Sequence, residues 1–78
     1  MLEFRKNARE SVVLRLDIVK GHEVADVRIW TSTHAGEMVP TLKGITLRIQ
    51  QLPELADAVA TLTAEAKAKG LLPVAHPI

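Results

Sequence analysis

The sequence predicts an α+β domain in which four consecutive antiparallel strands are followed by one long C-terminal helix. Two observations lead to this fold class. Up to residue 49, apolar and polar residues alternate with a period of two, as in strands. From Gln50 onwards the apolar residues recur every three or four positions, as in an amphipathic helix. A chain of 78 residues is enough for one domain, which we place at residues 1–70, with an extended tail at 71–78.

A hairpin is predicted near the middle of the strand region. Residues 12–19 alternate as one strand, Lys20-Gly21-His22 supplies a turn, and residues 24–30 alternate as the next strand. One face of this hairpin carries a charged residue at each of four positions, so cross-strand ion pairing is their simplest explanation. These residues are Arg15, Asp17, Asp26 and Arg28.

The remaining two strands flank the hairpin in the chain. Residues 38–49 predict a strand that is bent or bulged near Pro40 and Gly44, since proline cannot donate to a strand ladder. A short opening strand at residues 2–7 brings the number of strands to four. The predicted sheet is therefore antiparallel throughout.

The helix is predicted at residues 51–69. Pro53 lies in its first turn, where a missing N–H costs nothing, and Gly70 suits a left-handed cap at its end. The apolar stripe is longer than a small sheet requires, and a chain of this size has a meagre core. We therefore predict a two-fold homodimer whose helices pack against each other. The predicted interface consists of Leu55, Val59, Leu62 and Ala66.

Composition argues against several classes of site. The chain has no cysteine, which excludes disulfides and thiolate metal sites and fits a reducing cytoplasm. No apolar run reaches the length of a signal peptide or a membrane span. His22, His34 and His76 are widely spaced, and no nucleophile, base and acid are grouped. We expect no enzyme activity, metal, cofactor or membrane partner.

Four segments in fixed order resemble the core of the positive cofactor four family, a family of transcriptional coactivators. They are Val19-Lys20-Gly21-His22, Asp26-Val27-Arg28-Ile29-Trp30, Gly36-Glu37-Met38-Val39-Pro40 and Lys43-Gly44-Ile45-Thr46-Leu47. The opening Phe4–Glu10 and the helix start Gln51–Leu55 are similar to bacterial members. The resemblance implies four antiparallel strands plus a helix, a helix-mediated homodimer, and a non-enzymatic protein that binds single-stranded DNA, or RNA, during transcription in the cytoplasm or nucleoid.

The resemblance also assigns candidate binding residues. Lys20, Arg28 and Lys43 match basic family positions that contact phosphates, and Trp30 matches an aromatic that stacks on bases. Base stacking and phosphate contacts together explain binding that tolerates any sequence. Further basic candidates on the strand region are Arg5, Lys6, Arg15 and Arg48. A structural alternative for Trp30 is a hydrophobic lid over the edge of the sheet.

Four positions depart from the family pattern. Val19 and Thr31 stand where aromatics are usual, and Val39 and Leu42 stand where basic residues are usual. Each lost phosphate contact reduces the slope of log K against log salt concentration by about 0.7 for single-strand binding. The alternative function is therefore a protein-interaction or dimerisation module on the same scaffold, with weakened nucleic-acid binding and transcription proteins as partners.

Overall fold

The computed structural model describes residues 1–72 and contains the predicted four strands and one long helix. The strands form one antiparallel sheet in chain order, which confirms the fold class. The predicted tail lies outside the described residues from residue 73 onwards. The elements are β1 (Leu2–Arg5), β2 (Glu10–Val19), β3 (His22–Ser32), β4 (Met38–Arg48), a 3₁₀ turn (Ile49–Gln51) and α1 (Leu52–Ala68).

The turn between β2 and β3 is tighter than the sequence pattern indicates. Val19 pairs directly with His22, so only Lys20 and Gly21 form the loop. Both have positive φ angles, of 52° and 80°, as a two-residue type I′ turn requires. Since the ladder continues up to this turn, β3 begins two residues earlier than predicted.

The bulge predicted in β4 is present and is large. Arg28 faces Gly44 and Trp30 faces Pro40, so residues 41–43 of β4 lie opposite Ile29 alone. Gly44 allows the two strands to approach, because a Cβ there would lie 2.7 Å from the Cα of Arg28. The extra residues project from the sheet, and Leu42 is 97% exposed.

The strand register divides the side chains between two faces of different chemistry. Directly paired residues share a face, and successive residues alternate. The polar face carries Arg5, Ser11, Val13, Arg15, Asp26, Arg28, Trp30, Thr46 and Arg48. The apolar face carries Leu2, Phe4, Val12, Leu14, Leu16, Ile18, Ala25, Val27 and Ile45.

Burial in the single chain differs from the simple expectation of a covered apolar face. The most buried large side chain is Val13 on the polar face, which is 1% exposed. Leu16 and Ile18 on the apolar face are 71% and 67% exposed. Val13 is covered because the long side chains of Arg15 and Trp30 approach each other across its position. The apolar face is left largely open.

Helix α1 covers little of that apolar face. Leu52, at its start, lies beside a hydrophobic depression of about 250 Å³ that is also lined by Leu14, Ala25 and Val27. Further along, none of the helix residues is buried. Val59 and Leu62 are 52% and 65% exposed, whereas Leu55 and Ala66 are half-buried.

The helix ends as predicted at Gly70, which has a φ of 70°. The Leu71 N–H donates to the Ala66 carbonyl at 2.9 Å, and the Gly70 N–H donates to the Lys67 carbonyl at 3.0 Å. These two bonds form a Schellman cap. The helix therefore continues through Ala66, the last residue of the apolar stripe.

Candidate nucleic-acid interface

The centre of the polar face is organised by the carboxylate of Asp26, whose side chain is only 7% exposed. Arg28 donates to it from Nε at 3.2 Å and from Nη2 at 3.0 Å. The Thr46 hydroxyl donates to the same carboxylate at 3.1 Å, and Arg15 Nε lies 3.9 Å away. Because a buried carboxylate needs such partners, Asp26 fixes Arg28 by hydrogen bonds. It faces Arg15 only as a nearby charge, since Arg15 Nε has no hydrogen-bond partner in the described part of the chain.

Arg28 is held in place more completely than its family match suggests. Besides its bonds to Asp26, its Nη1 donates to the Thr41 carbonyl at 3.1 Å and its Nη2 to the Thr46 hydroxyl at 3.3 Å. These contacts engage all three nitrogens of the five-donor guanidinium. Arg28 therefore ties the bulged strand β4 to β3 and contributes positive charge to the face, with little free donor capacity for a phosphate.

Trp30 lies on the same face as Arg28, as its alternation predicts. Its ring is partly buried, and the Arg15 Cζ lies 5.6 Å from the ring centroid, a cation–π distance. Arg15 is held in turn by Asp17, whose Oδ2 lies 3.1 Å from Nη2. The indole thus covers Val13, as the lid interpretation predicts, and the Arg15 guanidinium positions its ring. Covering Val13 does not prevent the ring from also stacking on a base.

Two predicted cations meet at the hairpin end of the sheet. Lys20 and Arg48 both line a shallow depression together with Val19 and His22. Both cations are exposed, and neither has an acidic partner within residues 1–72. They are therefore available to a phosphate in a way that Arg28 is not.

Lys43, the other lysine that the resemblance assigns, lies outside both the central cluster and the hairpin end. Lys43 is exposed in the β4 bulge, next to Leu42, at the outer edge of the sheet. Because Pro40 and the bulge interrupt the ladder there, Lys43 projects from an irregular edge. It extends the basic surface sideways from the central cluster.

The loop end of the polar face carries Arg5 and, beside it, Lys6. Lys6 Nζ lies 3.5 Å from Glu10 Oε1, and the Asn7 amide donates to the same oxygen at 2.8 Å. The hydrogen bond from Asn7, with the Lys6 charge nearby, holds the pKa of the Glu10 carboxyl below its usual range. Lys6 is therefore paired, whereas Arg5 donates only to the Ala8 carbonyl, at 3.3 Å.

The structure thus groups the predicted binding residues into a centre (Arg15, Arg28, Trp30), a hairpin end (Lys20, Arg48) and a loop end (Arg5, Lys6), with Lys43 apart. The sequence pattern predicts Asp26 as a pairing partner but does not indicate that its carboxylate is buried at the centre of the cluster. The signal was an acid and an arginine two residues apart on one strand, which places both on one face.

Other kinds of site find no support in residues 1–72. This part of the chain contains no group of three potential metal ligands among its His, Asp and Glu residues. His22 and His34 are exposed. No helix in the described residues is long and apolar enough to cross a bilayer.

Comparison with known proteins identifies the family of this chain. Residues 6–58 match the family model for Transcriptional Coactivator p15 (PC4). The fold is similar to the crystal structure of a PC4 homolog from Burkholderia pseudomallei, with a TM-score of 0.76, 22% identity, and 81% of this chain and 85% of that chain covered. No curated protein gives a significant match. Since the family match spans more than half of the chain, this protein belongs to the PC4 family, whose members bind single-stranded DNA.

Proposed function

We propose that this protein is a non-enzymatic, homodimeric single-stranded-DNA-binding protein with a coactivator-like role in transcription. The observation that carries the proposal is the polar face, where Trp30 lies beside Arg15 and exposed cations flank it at the hairpin end and the loop end of the sheet. Aromatic stacking and backbone charge contacts are the two components of sequence-tolerant single-strand binding. Membership of the PC4 family supports the same ligand.

The proposed division of labour follows from the hydrogen bonds. Lys20, Lys43 and Arg48 have exposed side chains, and they contact phosphates. Arg15 and Arg28 are held by Asp17 and Asp26, so they shape the face and position Trp30. A base that stacks on Trp30 either displaces the Arg15 guanidinium from the indole ring or packs against the ring face that Arg15 leaves free.

A homodimer is proposed from the open apolar side of the molecule. Leu16 and Ile18 on the sheet and Val59 and Leu62 on α1 are all more than half exposed in the single chain. Contiguous apolar surface of this kind marks an interaction site in a soluble protein. A second copy that covers this side leaves the polar face free for DNA.

Intrinsic fluorescence provides the direct test, because Trp30 is the single tryptophan and the chain has no tyrosine. We expect an oligothymidine to quench or shift the emission of the wild type at low salt. In a mobility-shift titration, Trp30→Leu should weaken binding by about 1–3 kcal/mol, the usual value of one base–aromatic stack. Thr31→Leu, a change next to Trp30 but on the opposite face, is the matched control. An unchanged signal together with no mobility shift at low salt would refute the proposal.

One observation favours the interaction module as a second candidate function. Leu42 is 97% exposed and Val19 is 44% exposed, at positions where the family pattern has a basic residue and an aromatic. Exposed apolar side chains there suit a protein partner better than a phosphate. Substitution Leu42→Arg distinguishes the two functions, since a nucleic-acid face should bind oligothymidine more tightly after the change, and an interaction module should not.

A further inference from the structure

A cleft at the loop end of the polar face is separate from the Trp30 centre. It has a volume of about 280 Å³ and lies where the β1–β2 loop (residues 6–9) meets the β3–β4 loop (residues 33–37). Its lining includes two arginines and two serines, which belong to three different strands and one loop. These residues are Arg5, Arg9, Ser11 and Ser32.

The hydroxyl groups of the cleft lack partners. Ser11 is only 8% exposed, and its side chain makes no hydrogen bond to any residue in the described part of the chain. The Ser32 hydroxyl is also without a bond to residues 1–72. The Ser11 hydroxyl oxygen keeps contact with solvent, so a ligand in the cleft can reach it. Because the register places Arg5, Ser11 and Ser32 on the same face, these free groups converge on the cleft.

The charge of the cleft is positive. The Arg9 guanidinium makes no hydrogen bond or ion pair within residues 1–72, and Arg5 donates only to a backbone carbonyl. Glu10 also contributes to the lining, but its position in β2 alternates with Ser11 and faces the other side. Its carboxylate is engaged by Asn7 at 2.8 Å. Two guanidiniums therefore remain without an acidic partner.

The backbone on one side of the cleft is fixed, since hydrogen bonds tie the β1–β2 loop to the end of β3. The Arg9 carbonyl accepts from the Ser32 N–H at 3.0 Å and from the Thr31 hydroxyl at 3.4 Å. The Asn7 side-chain oxygen accepts from the N–H groups of Arg9 and Glu10 at 3.0 and 2.9 Å. These bonds fix the backbone that carries Arg9 and Ser32, which lowers the entropic cost of binding.

We propose that this cleft binds a terminal phosphate of single-stranded DNA, with Arg5 and Arg9 as charge partners and Ser11 and Ser32 as hydroxyl donors. A terminal phosphate monoester carries about −1.5 to −2 charges at pH 7, and an internal phosphodiester carries one. Two unpaired guanidiniums match the dianion. The inference rests on the proposed function, because it adds an end-binding subsite to the same DNA-binding face.

Competition titrations against a labelled oligothymidine test this subsite. Three unlabelled oligothymidines of equal length are compared, one without a terminal phosphate, one with a 5′-phosphate and one with a 3′-phosphate, which share the same chemistry at opposite ends. We expect one phosphorylated form to bind about tenfold more tightly than the unphosphorylated form at pH 7.5. This gain should shrink below about pH 6, where the terminal phosphate dianion takes up one proton and its charge falls towards −1.

Variants locate the gain. Arg9→Gln should abolish the ratio between phosphorylated and unphosphorylated oligonucleotides, and Arg9→Lys should retain part of it. Lys20→Gln, at the opposite end of the sheet, should weaken all three alike and leave the ratio intact. Circular dichroism confirms that each variant is folded.

Three results would overturn the inference. Equal binding of all three oligonucleotides by the wild type removes the subsite and leaves the proposed function standing. A ratio that persists in folded Arg9→Gln excludes the cleft as its source. Failure of all three to bind removes the proposed function and the subsite together.

Discussion

Asp26→Asn tests whether the buried carboxylate holds the polar face together. The substitution keeps the shape of the side chain and removes the charge that Arg28 and Arg15 face at 3.0 and 3.9 Å. Breaking a buried ion pair by removing one partner costs about 3–5 kcal/mol. Because the Arg28 side chain remains 20% exposed and water can reach it, we expect a loss of about 3 kcal/mol, near the low end of that range.

Chemical denaturation and thermal melts measure this loss. For a domain of this size, 1 kcal/mol corresponds to about 4–8 °C in Tm, so the expected decrease is about 12–24 °C. All samples are compared at one protein concentration, since association would stabilise the fold by mass action. Asp17→Asn is the matched control, because its pair with Arg15 is more exposed and should contribute at most about 1 kcal/mol. Equal, small losses for both variants would refute the assigned role of Asp26.

Three further predictions concern helix α1, Lys43 in the β4 bulge, and Glu10 next to the β1–β2 loop. Val59→Glu or Leu62→Glu should dissociate or unfold the chain in sedimentation experiments, while Thr61→Glu, elsewhere on α1, should not; a folded wild-type monomer would contradict the proposed dimer. Lys43→Gln should lower the slope of log K against log salt for oligothymidine by about 0.7, and an unchanged slope would show that this lysine contacts no phosphate. The lowered pKa of Glu10 stabilises its loop above the usual carboxyl pKa, and this contribution is lost as the pH falls through the lower folded value. The protection of the loop amides from hydrogen exchange, measured relative to their intrinsic exchange rates at each pH, should therefore decrease at acidic pH, and Glu10→Gln should remove this dependence.

Strand and helix periodicity predicted the elements well because it depends on the local spacing of apolar residues. The alternation from Val12 to Val19, the change of period at Gln50 and the cap at Gly70 each depend on residues within a few positions. The bulge near Pro40 and Gly44 was also predicted, since proline and glycine have few acceptable places in a strand. Its size, three residues opposite one, depends on pairing with β3 and could not be read from β4 alone.

The candidate site was harder to predict because side-chain pairing depends on register. The sequence shows that Arg28 and Trp30 share a face. It does not show that the Arg28 guanidinium donates its hydrogen bonds to Asp26, Thr41 and Thr46. The cleft with Ser11 was missed for the same reason. Serines and arginines are common in loops and strands. Those that line the cleft come together only because two loops that are distant in the chain approach each other.

The irregular outer strand β4 also limits how copies of this protein can assemble. A regular edge strand exposes a row of backbone donors and acceptors that can recruit another strand and extend a sheet without end. In β4, Pro40 lacks a donor and residues 41–43 leave the line of the strand. The opposite edge, β1, is only four residues long. Neither edge therefore offers a long regular template for another strand, so in the proposed homodimer the two copies would pair through their apolar faces and not by extending the sheet.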